Sequence, residues 1–521
     1  MSKALLVVCS IALLAKVLEC WSNRRHRENV LKAIPGPSDR FRLLFTARYS
    51  LHSLSTNPRK TGSQVEFFQW IRGLCEMHRK AGIFKIYAGV NPIVFLCTPE
   101  AAAPLLASNT NLKKSMNYRK LHSWLGPDGL LTSFGQTWKF HRKLVTPAFH
   151  FRVLENFLPI INEQADRLVD KLQEYAGGQA ITLHHILSKC ALNVICETAM
   201  GLKLDEQGES AIGDEYEKDV ELVLKLYMKR IMQPWMVVDF VYAATANGRQ
   251  YAKLVKRLHN FTKKVILKRQ SDFAADRQKL KDDSFHGTKT SEKRLAFLDL
   301  LSNHYRKEMI TIEDVRQEVD TFMFAGHDTV TQSLTWILFV LGIYPDVQSK
   351  VHEELDLIFS HDMTRSITRA DIADLSYLDR VIKETMRVFP TAPWFGRALT
   401  EEIKIGNYQI PKGTTCFVFT YGLHRDPDHY RDPETFDPDR FLPENCSGRH
   451  PFAFIPFSAG PRNCVGQKFA LMELKVTLAK LLRRYQVKSC LQRDDLLLMA
   501  DMLLRTRNPI KFQLTDRMAP Q

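Results

Sequence analysis

The fold of this 521-residue chain is decided by one stretch, Phe457-Ser458-Ala459-Gly460-Pro461-Arg462-Asn463-Cys464-Val465-Gly466. It is a loop rich in glycine and proline that delivers a single cysteine to the start of a helical segment, residues 467–473. Open backbone N–H groups at a helix start and a nearby arginine lower the pKa of a thiol below about 8.5. The loop therefore predicts a thiolate that acts as a nucleophile or as a metal ligand.

The surroundings of Cys464 favour metal ligation over nucleophilic catalysis, because no partner histidine is positioned in the sequence to take its proton. One cysteine cannot complete a tetrahedral zinc site, so the remaining ligands would come from a macrocycle. The other cysteines among the ten are scattered without a C-x-x-C pair, which is typical of a reducing compartment.

The composition is that of an ordinary globular protein, with 45% hydrophobic and 25% charged residues, which excludes a disordered or collagen-like chain. The net charge of +16 suits an anionic membrane face, an acidic protein partner or nucleic acid. No basic stripe with interleaved aromatic residues and no zinc-finger spacing is present, so a nucleic-acid partner is not expected.

Helical periodicity dominates the chain from about residue 155 to 385, and strand signals are few. Two hairpins are predicted, one pairing residues 84–87 with 93–96 and the other pairing 403–405 with 408–410. The predicted fold class is mainly α with small β-sheets.

The longest predicted helix begins at a capping box, Thr311 to Asp314, and ends near Leu341, before Pro345. Thirty residues span roughly 45 Å, enough to cross a whole domain.

The centre of this helix is apolar and is followed by His327, Asp328 and Thr329. Polar groups there are costly unless they are hydrogen-bonded or functional. Gly326 costs about 1 kcal/mol relative to alanine and is useful only where another body approaches closely. By itself the segment indicates either a functional site or a kink capped by Asp328.

A second capping box, Ser376 to Asp379, predicts a helix that reaches Phe389. This helix carries Glu384 and Arg387 three positions apart and therefore on one face. By itself, the pair would be an ordinary surface ion pair.

The amino terminus predicts a hydrophobic signal-anchor over residues 1–22, since residues 4–15 carry no charge and apolar character extends to Trp21. The basic cluster after it predicts that the body stays in the cytosol. The alternative is a cleaved secretory signal or a mitochondrial presequence. Residues 23–38 are predicted to form a basic linker with a Pro-Gly-Pro hinge.

These motifs together resemble those of the cytochrome P-450 superfamily of haem-thiolate enzymes. The cysteine-loop pattern F-x-x-G-x-R-x-C-x-G is met at all five fixed positions, from Phe457 to Gly466. Four more motifs occur in family order: W-x-x-x-R at Trp138 and Arg142, A-G-x-D-T at 325–329, E-x-x-R at Glu384 and Arg387, and the aromatic-Pro-x-x-Phe segment at 436–441.

Segments 124–126, 129–131, 146–151 and 318–324 most resemble the fourth P-450 family, whose members are typically ω-hydroxylases of fatty acids and related lipids. Members of that family often carry a glutamate that esterifies the haem at the position of Ala325. The alanine excludes a covalent haem link there and weakens any expectation of strict terminal-methyl selectivity.

The resemblance implies a cytochrome P-450 fold, with residues 39–521 forming one haem-thiolate monooxygenase domain behind the membrane anchor. It implies haem b held by the Cys464 thiolate, with a backbone N–H near Gly466 bonding the sulfur, and with Gly326 letting the helix lie close over the porphyrin. Asp328 and Thr329 match the pair that relays protons to dioxygen. Glu384 and Arg387 match a buried pair that fixes the fold behind the haem and is structural rather than catalytic. The expected cofactor-binding residues are Trp138, Arg142, Arg397, Phe457, Arg462 and Gly466. Four of them are expected to bind the haem propionates, namely Trp138, Arg142, Arg397 and Arg462.

The implied activity is hydroxylation of a lipophilic substrate, which is a fatty acid, a lipid-derived hormone or a xenobiotic. Two alternatives are an isomerase or dehydratase of lipid hydroperoxides and a non-enzymatic haem sensor. Four aromatic residues are candidates for contacting substrate, and core packing is an equal alternative for each: Trp124, Phe322, Trp394 and Phe395.

The chain has no flavin or dinucleotide fingerprint, so electrons are expected from an NADPH-dependent flavoprotein reductase, with cytochrome b5 as a second donor. The expected docking face is basic and includes Arg142, Lys143 and Lys468. The expected location is the endoplasmic reticulum membrane, with the haem domain on its cytosolic face.

Overall fold

The computed structural model describes residues 22, 25, 27–37, 63–88, 91–204, 210–283, 297–360 and 362–517. The hydrophobic stretch that predicts the anchor lies outside the described residues. Within the described ranges no single helix is long and apolar enough to cross a membrane. Two consecutive helices, Ile312–Ile343 and Pro345–Phe359, satisfy length and composition only as a pair, across a bend of 108°.

Helices make up most of the described structure, as predicted. From Ser63 onward they are numbered in chain order: α1 Ser63–Met77, α2 Pro99–Leu106, α3 His122–Leu125, α4 Gly135–Val145, α5 Phe151–Leu154, α6 Leu158–Leu172, α7 His184–Thr198, α8 Ser210–Met232, α9 Asp239–Ala244, α10 Ala246–Asp283, α11 Phe297–Arg306, α12 Ile312–Ile343, α13 Pro345–Phe359, α14 Arg369–Asp374, α15 Ser376–Val388, α16 Thr420–Leu423, α17 Pro443–Cys446 and α18 Gln467–Arg484.

The strands form four small sheets. They are β1 Ile83–Ala88, β2 Asn91–Leu96, β3 Phe395–Ala398, β4 Ile403–Ile405, β5 Tyr408–Ile410, β6 Thr415–Val418, β7 Tyr485–Ser489, β8 Leu498–Asp501, β9 Leu503–Thr506 and β10 Phe512–Asp516. One sheet has the order β1-β2-β6-β3, and the others pair β4 with β5, β7 with β10 and β8 with β9. Both predicted hairpins, β1-β2 and β4-β5, are confirmed.

Helix α12 runs through the core and confirms the prediction made from its capping box. The Thr311 hydroxyl accepts from the Asp314 N–H at 3.1 Å, and the Asp314 carboxylate accepts from the Thr311 N–H at 2.8 Å. Most of its 32 residues are buried, and α7 packs along it. A Cβ added to Gly326 would lie 2.6 Å from the side chain of Ile195 in α7. The glycine therefore meets a close neighbour on the α7 side, and its expected role over a porphyrin stays a prediction.

The start of α15 differs from the prediction. Ser376 does not cap the helix with its own side chain. Instead, Glu354 of α13 accepts from the backbone N–H groups of Tyr377 and Leu378, at 2.5 and 2.9 Å. A carboxylate at a helix start satisfies open N–H groups and complements the helix dipole. The cap therefore comes from a neighbouring helix.

The Glu384–Arg387 pair of α15 is fully buried, which confirms the buried pair implied by the family resemblance and excludes the surface ion pair suggested by the spacing alone. Arg387 donates to Glu384 at 2.7 Å through both Nε and Nη2. Its remaining N–H groups donate to the backbone carbonyls of His424, Pro433 and Thr435. The pair thus fixes α15 to the segment that precedes the cysteine loop.

The segment 27–37, which contains the Pro-Gly-Pro sequence, is packed against the first sheet. Lys85 of β1 donates through Nζ to the carbonyls of Leu31 and Ile34, at 2.8 and 2.7 Å. The Lys85 N–H also bonds the Pro35 carbonyl at 2.8 Å. The buried side chains of Leu31 and Ile34 join a core cluster with this sheet.

Candidate active site

The cysteine loop is a tight turn that only certain residues can form. The Cys464 N–H donates to the Phe457 carbonyl at 2.9 Å, which closes the loop. Gly460 has φ +70°, and a Cβ there would lie 1.9 Å from the backbone oxygen of Leu106 in α2. Because a backbone carbonyl cannot move aside as a flexible side chain can, glycine is required at this position.

The Cys464 thiol stands just before α18 and is open to solvent on one side. Desolvation raises the pKa of this thiol and outweighs the Gly466 N–H and the nearby Arg142, which lower it, so the lowered thiol pKa predicted from the loop alone is wrong. A metal ion bound to the sulfur would remove the proton outright. Space remains beside Gly466, where an added Cβ would make only ordinary contact with Phe149 at 3.8 Å.

Arg142 of α4 ties that helix to the cysteine loop. Its guanidinium donates to the backbone oxygen of Asn463 at 2.8 Å and to the side-chain oxygen of Asn463 at 2.7 Å. The residue was expected to bind a haem propionate, but both of these bonds go to the residue before the cysteine. In this structure Arg142 positions the loop.

A cluster of basic groups lies beside the loop. Arg462 and Arg397 are buried, and their charges influence each other and Lys114. The Arg462 guanidinium lies 4.8 Å above the ring of the buried Trp138 and donates to the Ser133 carbonyl at 2.9 Å. This cluster contains three of the four residues expected to bind propionates, namely Trp138, Arg397 and Arg462. It also contains Lys114, which the sequence motifs do not indicate.

The cluster is electrostatically incomplete. Desolvation lowers the pKa of Arg397 to about 10. Desolvation, with repulsion from Arg397, lowers the pKa of Arg462 to about 9. Desolvation and then repulsion from both arginines hold the pKa of Lys114 well below its usual range. Within the described ranges, no ion pair joins these three cations to a carboxylate. Buried charges of one sign are costly unless they are neutralised, so the site fits a dianionic group such as a haem.

The predicted acid–alcohol pair lies where α12 becomes accessible. Ala325 is exposed and Thr329 is half-buried, although most of the helix around them is buried. The Thr329 hydroxyl donates to the Ala325 carbonyl at 2.8 Å. Ala325 and Thr329 therefore form an open patch on α12, which presents a small apolar side chain and a hydroxyl.

Asp328 is buried next to the open patch and is paired with Arg505 of β9, whose Nη2 donates to Asp328 Oδ1 at 2.6 Å. Asp328 Oδ2 is buried without a hydrogen-bond partner among the described residues. Burial is the largest single influence and would raise the pKa of Asp328, but the charge of Arg505, the charges of His327 and His184 and the hydrogen bond from Arg505 together outweigh it and lower the pKa below its usual value. The carboxylate is therefore ionised at neutral pH.

A cavity of about 750 Å³ lies among β1, β2, β6 and α8. Trp394 and Phe395 line it, as the sequence suggested for substrate contacts. Trp124 and Phe322 do not: Trp124 is fully buried against Phe324, and Phe322 stacks on Phe149 at 5.3 Å. For those two residues the core-packing alternative holds.

Comparison with known proteins covers the part of the chain that contains these site residues. The family model described as cytochrome P450 matches residues 64–514. The chain is 43% identical to mouse cytochrome P450 4V2, over 89% of this chain and 87% of the mouse protein. It is 39% identical to cytochrome P450 4c3 of Drosophila melanogaster, over 87% and 85%, and 35% identical to cytochrome P450 4c21 of Blattella germanica, over 98% of each chain.

Proposed function

Because the chain belongs to the cytochrome P450 family and is a monooxygenase of that family, we propose that it hydroxylates a long-chain lipophilic substrate with electrons that originate from NADPH. Members of the family use haem b with a cysteine thiolate as the axial ligand. The observation that carries the proposal is the position of Thr329 at the open patch of α12, with the carboxylate of Asp328 buried directly beside it.

The residues proposed to hold the haem are those of the loop and of the basic cluster. Cys464 would bind the iron as a thiolate, and the Gly466 N–H would bond its sulfur. Arg397, Arg462 and Lys114 would neutralise the propionates, Trp138 would support Arg462, and Phe457 and Arg142 would fix the loop. The bound haem supplies the activation of dioxygen, which the thiolate favours.

Asp328 and Thr329 are proposed as the catalytic pair that delivers protons. Oδ1 of Asp328 is held by Arg505, so Oδ2 is the atom able to accept a proton and pass it on. The Thr329 hydroxyl can exchange its bond to the Ala325 carbonyl for one to a reacting group. An isomerase or dehydratase needs no such relay, and no feature of the site favours that alternative.

The apolar cavity supports a lipophilic substrate, and a fatty acid is proposed ahead of a lipid-derived hormone or a xenobiotic. An NADPH-dependent flavoprotein reductase is proposed as the electron donor, with cytochrome b5 as a second one. Lys143 and Lys468 are exposed near Arg142 and the cysteine loop and suit an acidic partner. Attachment to the endoplasmic reticulum membrane through residues 1–22 is proposed, with the domain from residue 39 onward in the cytosol.

The relay is tested in the haem-loaded protein with the variants Asp328→Asn and Thr329→Ala. Asparagine is preferred to alanine because it keeps an oxygen toward the buried Arg505. Both variants are expected to retain haem, while hydroxylated product per NADPH consumed falls roughly 100-fold or more, as for loss of a proton-transfer group.

Thr335→Ala is the matched control. The Thr335 hydroxyl donates to the Thr331 carbonyl at 2.8 Å, the same type of bond as that of Thr329, but Thr335 is buried further along α12. This variant should leave coupling unchanged. Normal coupling in both Asp328→Asn and Thr329→Ala would refute the relay. Turnover of lipid hydroperoxides without any reductase would instead favour the isomerase or dehydratase.

A further inference from the structure

The charged residues of the 750 Å³ cavity are all of one sign. Among the described residues that line it, three are basic, namely Arg27, Lys120 and Arg230, and none is acidic. Most of the remaining lining is aliphatic or aromatic, including Phe67 of α1 and Ile93 of the first sheet. Such a cavity is adapted to an elongated apolar molecule that carries a negative charge.

Two of the cations share one carboxylate. Lys120 Nζ lies 2.7 Å from Asp239 Oδ1, and Arg230 Nη2 donates to the same oxygen. Arg230 is only 7% exposed, its Nε donates to the Met236 carbonyl at 3.0 Å, and its guanidinium lies 4.2 Å from the ring of Tyr242. One carboxylate opposite two cations leaves a surplus positive charge at the cavity wall.

Asp239 does not itself line the cavity, and its side chain is 79% exposed. Hydrogen bonds from Lys120 and the charges of Lys120 and Arg230 lower the pKa of Asp239, so it is ionised at neutral pH. Solvent screens the exposed Asp239 carboxylate, whereas the buried Arg230 guanidinium needs a carboxylate beside it, whichever molecule supplies that group. Another carboxylate entering from the cavity side can therefore replace Asp239 at small cost.

The segment that carries Asp239 is also loosely covered. Asp239 begins the six-residue helix α9, and the neighbouring side chains of Val237, Val238 and Phe240 are 45, 45 and 78% exposed. Few buried contacts hold such a segment in place, and segments of this kind open at low free energy.

We infer that Lys120 and Arg230 form an anion-binding pair that selects substrates with a carboxylate head group, and that Asp239 occupies this pair until such a substrate displaces it. The inference rests on the proposed function, because it concerns the substrate cavity of that reaction. A carboxylate can accept from the Arg230 fork and from Lys120 together, which a neutral head group cannot match. Lys120 and Arg230 are thus specificity-determining residues, and Asp239 is an internal competitor.

The test measures the dissociation constants of dodecanoate and dodecan-1-ol, a pair with equal chain length and different charge, by the Soret shift of the haem-loaded full chain. Asp239→Asn is expected to tighten dodecanoate binding roughly three- to tenfold, since the competing charge is gone. Lys120→Met is expected to weaken dodecanoate binding roughly tenfold. Neither variant should change dodecan-1-ol binding by more than about twofold.

Lys171 and Glu174 supply matched controls, because they form an exposed ion pair outside the cavity lining, at 2.8 Å. Glu174→Gln and Lys171→Met should leave both dissociation constants unchanged. Because Arg230 is buried, it is replaced by lysine, which keeps the positive charge, rather than by a neutral residue. Arg230→Lys should retain most of the preference for dodecanoate over dodecan-1-ol.

Weaker or unchanged dodecanoate binding in Asp239→Asn would overturn the competitor role. An equal effect of Lys120→Met on the acid and the alcohol would overturn the selectivity, while the monooxygenase assignment would stand. If neither compound shifts the Soret band of the unaltered protein, the long-chain substrate proposed above fails, and this inference fails with it.

Discussion

Replacing Glu384 by alanine is expected to lower the free energy of unfolding by roughly 3–5 kcal/mol, the cost of leaving one partner of a buried ion pair alone. Glu384 and Arg387 both have no exposed surface. The alanine removes two bonds of 2.7 Å and leaves a buried guanidinium whose remaining acceptors, within the described part of the chain, are three backbone carbonyls. It also removes the acceptor of the Asp437 N–H, now bonded to Glu384 at 3.0 Å.

The assay is urea-induced unfolding followed by far-ultraviolet circular dichroism at matched haem loading. Glu174→Ala is the control, since Glu174 and Lys171 have the same three-residue spacing but are exposed, and it should leave the midpoint unchanged. The double variant Glu384→Met with Arg387→Met should lose less stability than the two single variants summed, because no charge is left buried alone. Strict additivity, or a shift for Glu384→Ala no larger than for the control, would refute the reasoning.

Three further predictions concern packing, the cysteine loop and pH. Gly326→Ala should cost about 1–3 kcal/mol in thermal unfolding through its clash with Ile195, and Ile195→Ala should cost less in that background than alone. Gly460→Ala should abolish haem loading, because the added Cβ would lie 1.9 Å from a backbone oxygen. Gly448 has a similar φ but lies in open space, so Gly448→Ala should load haem normally, and equal loading of the two variants would contradict this reasoning. Burial lowers the pKa of His424 to about 3, below the 6.5 of the unfolded chain, so the unfolded state binds more protons as the pH falls from 6.5 toward 3. The His424 contribution to the free energy of unfolding should therefore fall with acidification by up to about 1.4 kcal/mol per pH unit in that window. His424→Gln should reduce the slope measured from pH 6 to 4.5 by that contribution, while the contributions of His184 and His352, whose pKa values burial lowers to about 4, should remain.

The elements that sequence reasoning located correctly are those whose signals are local. The capping box at Thr311 and the break at Pro345 bracket α12 because the residues that form the cap and the stop are chain neighbours. The hairpin of β4 and β5 depends on a two-residue turn between short apolar runs.

The start of α15 shows where such signals fail. Ser376 and Asp379 have the same spacing as the box at Thr311, yet Glu354 of α13 takes the backbone N–H groups, and Asp379 pairs with Lys383 and Lys475. Tertiary packing of α13 against α15 offered a stronger acceptor than the local serine. The sequence motif carries no information about that neighbour.

In the candidate site, motifs identified residues but not all of their partners. Asp328 was predicted as a functional acid, but its partner Arg505 lies 177 positions later in the chain, on β9. A buried carboxylate requires a cation, but 73 lysines and arginines were available to supply it. The same limit applies to Lys114 in the basic cluster and to the contact of Gly326 with Ile195.

The central claim is that the Cys464 sulfur binds the haem iron as a thiolate, and ligation is read most directly from the carbon monoxide difference spectrum of the reduced, haem-reconstituted protein. The account predicts that Cys464→Ser loses the long-wavelength Soret band that marks a thiolate ligand, while Cys490→Ser, at another exposed cysteine, keeps it. An intact band in the Cys464→Ser protein would contradict the account, because the ligand would then be a different residue.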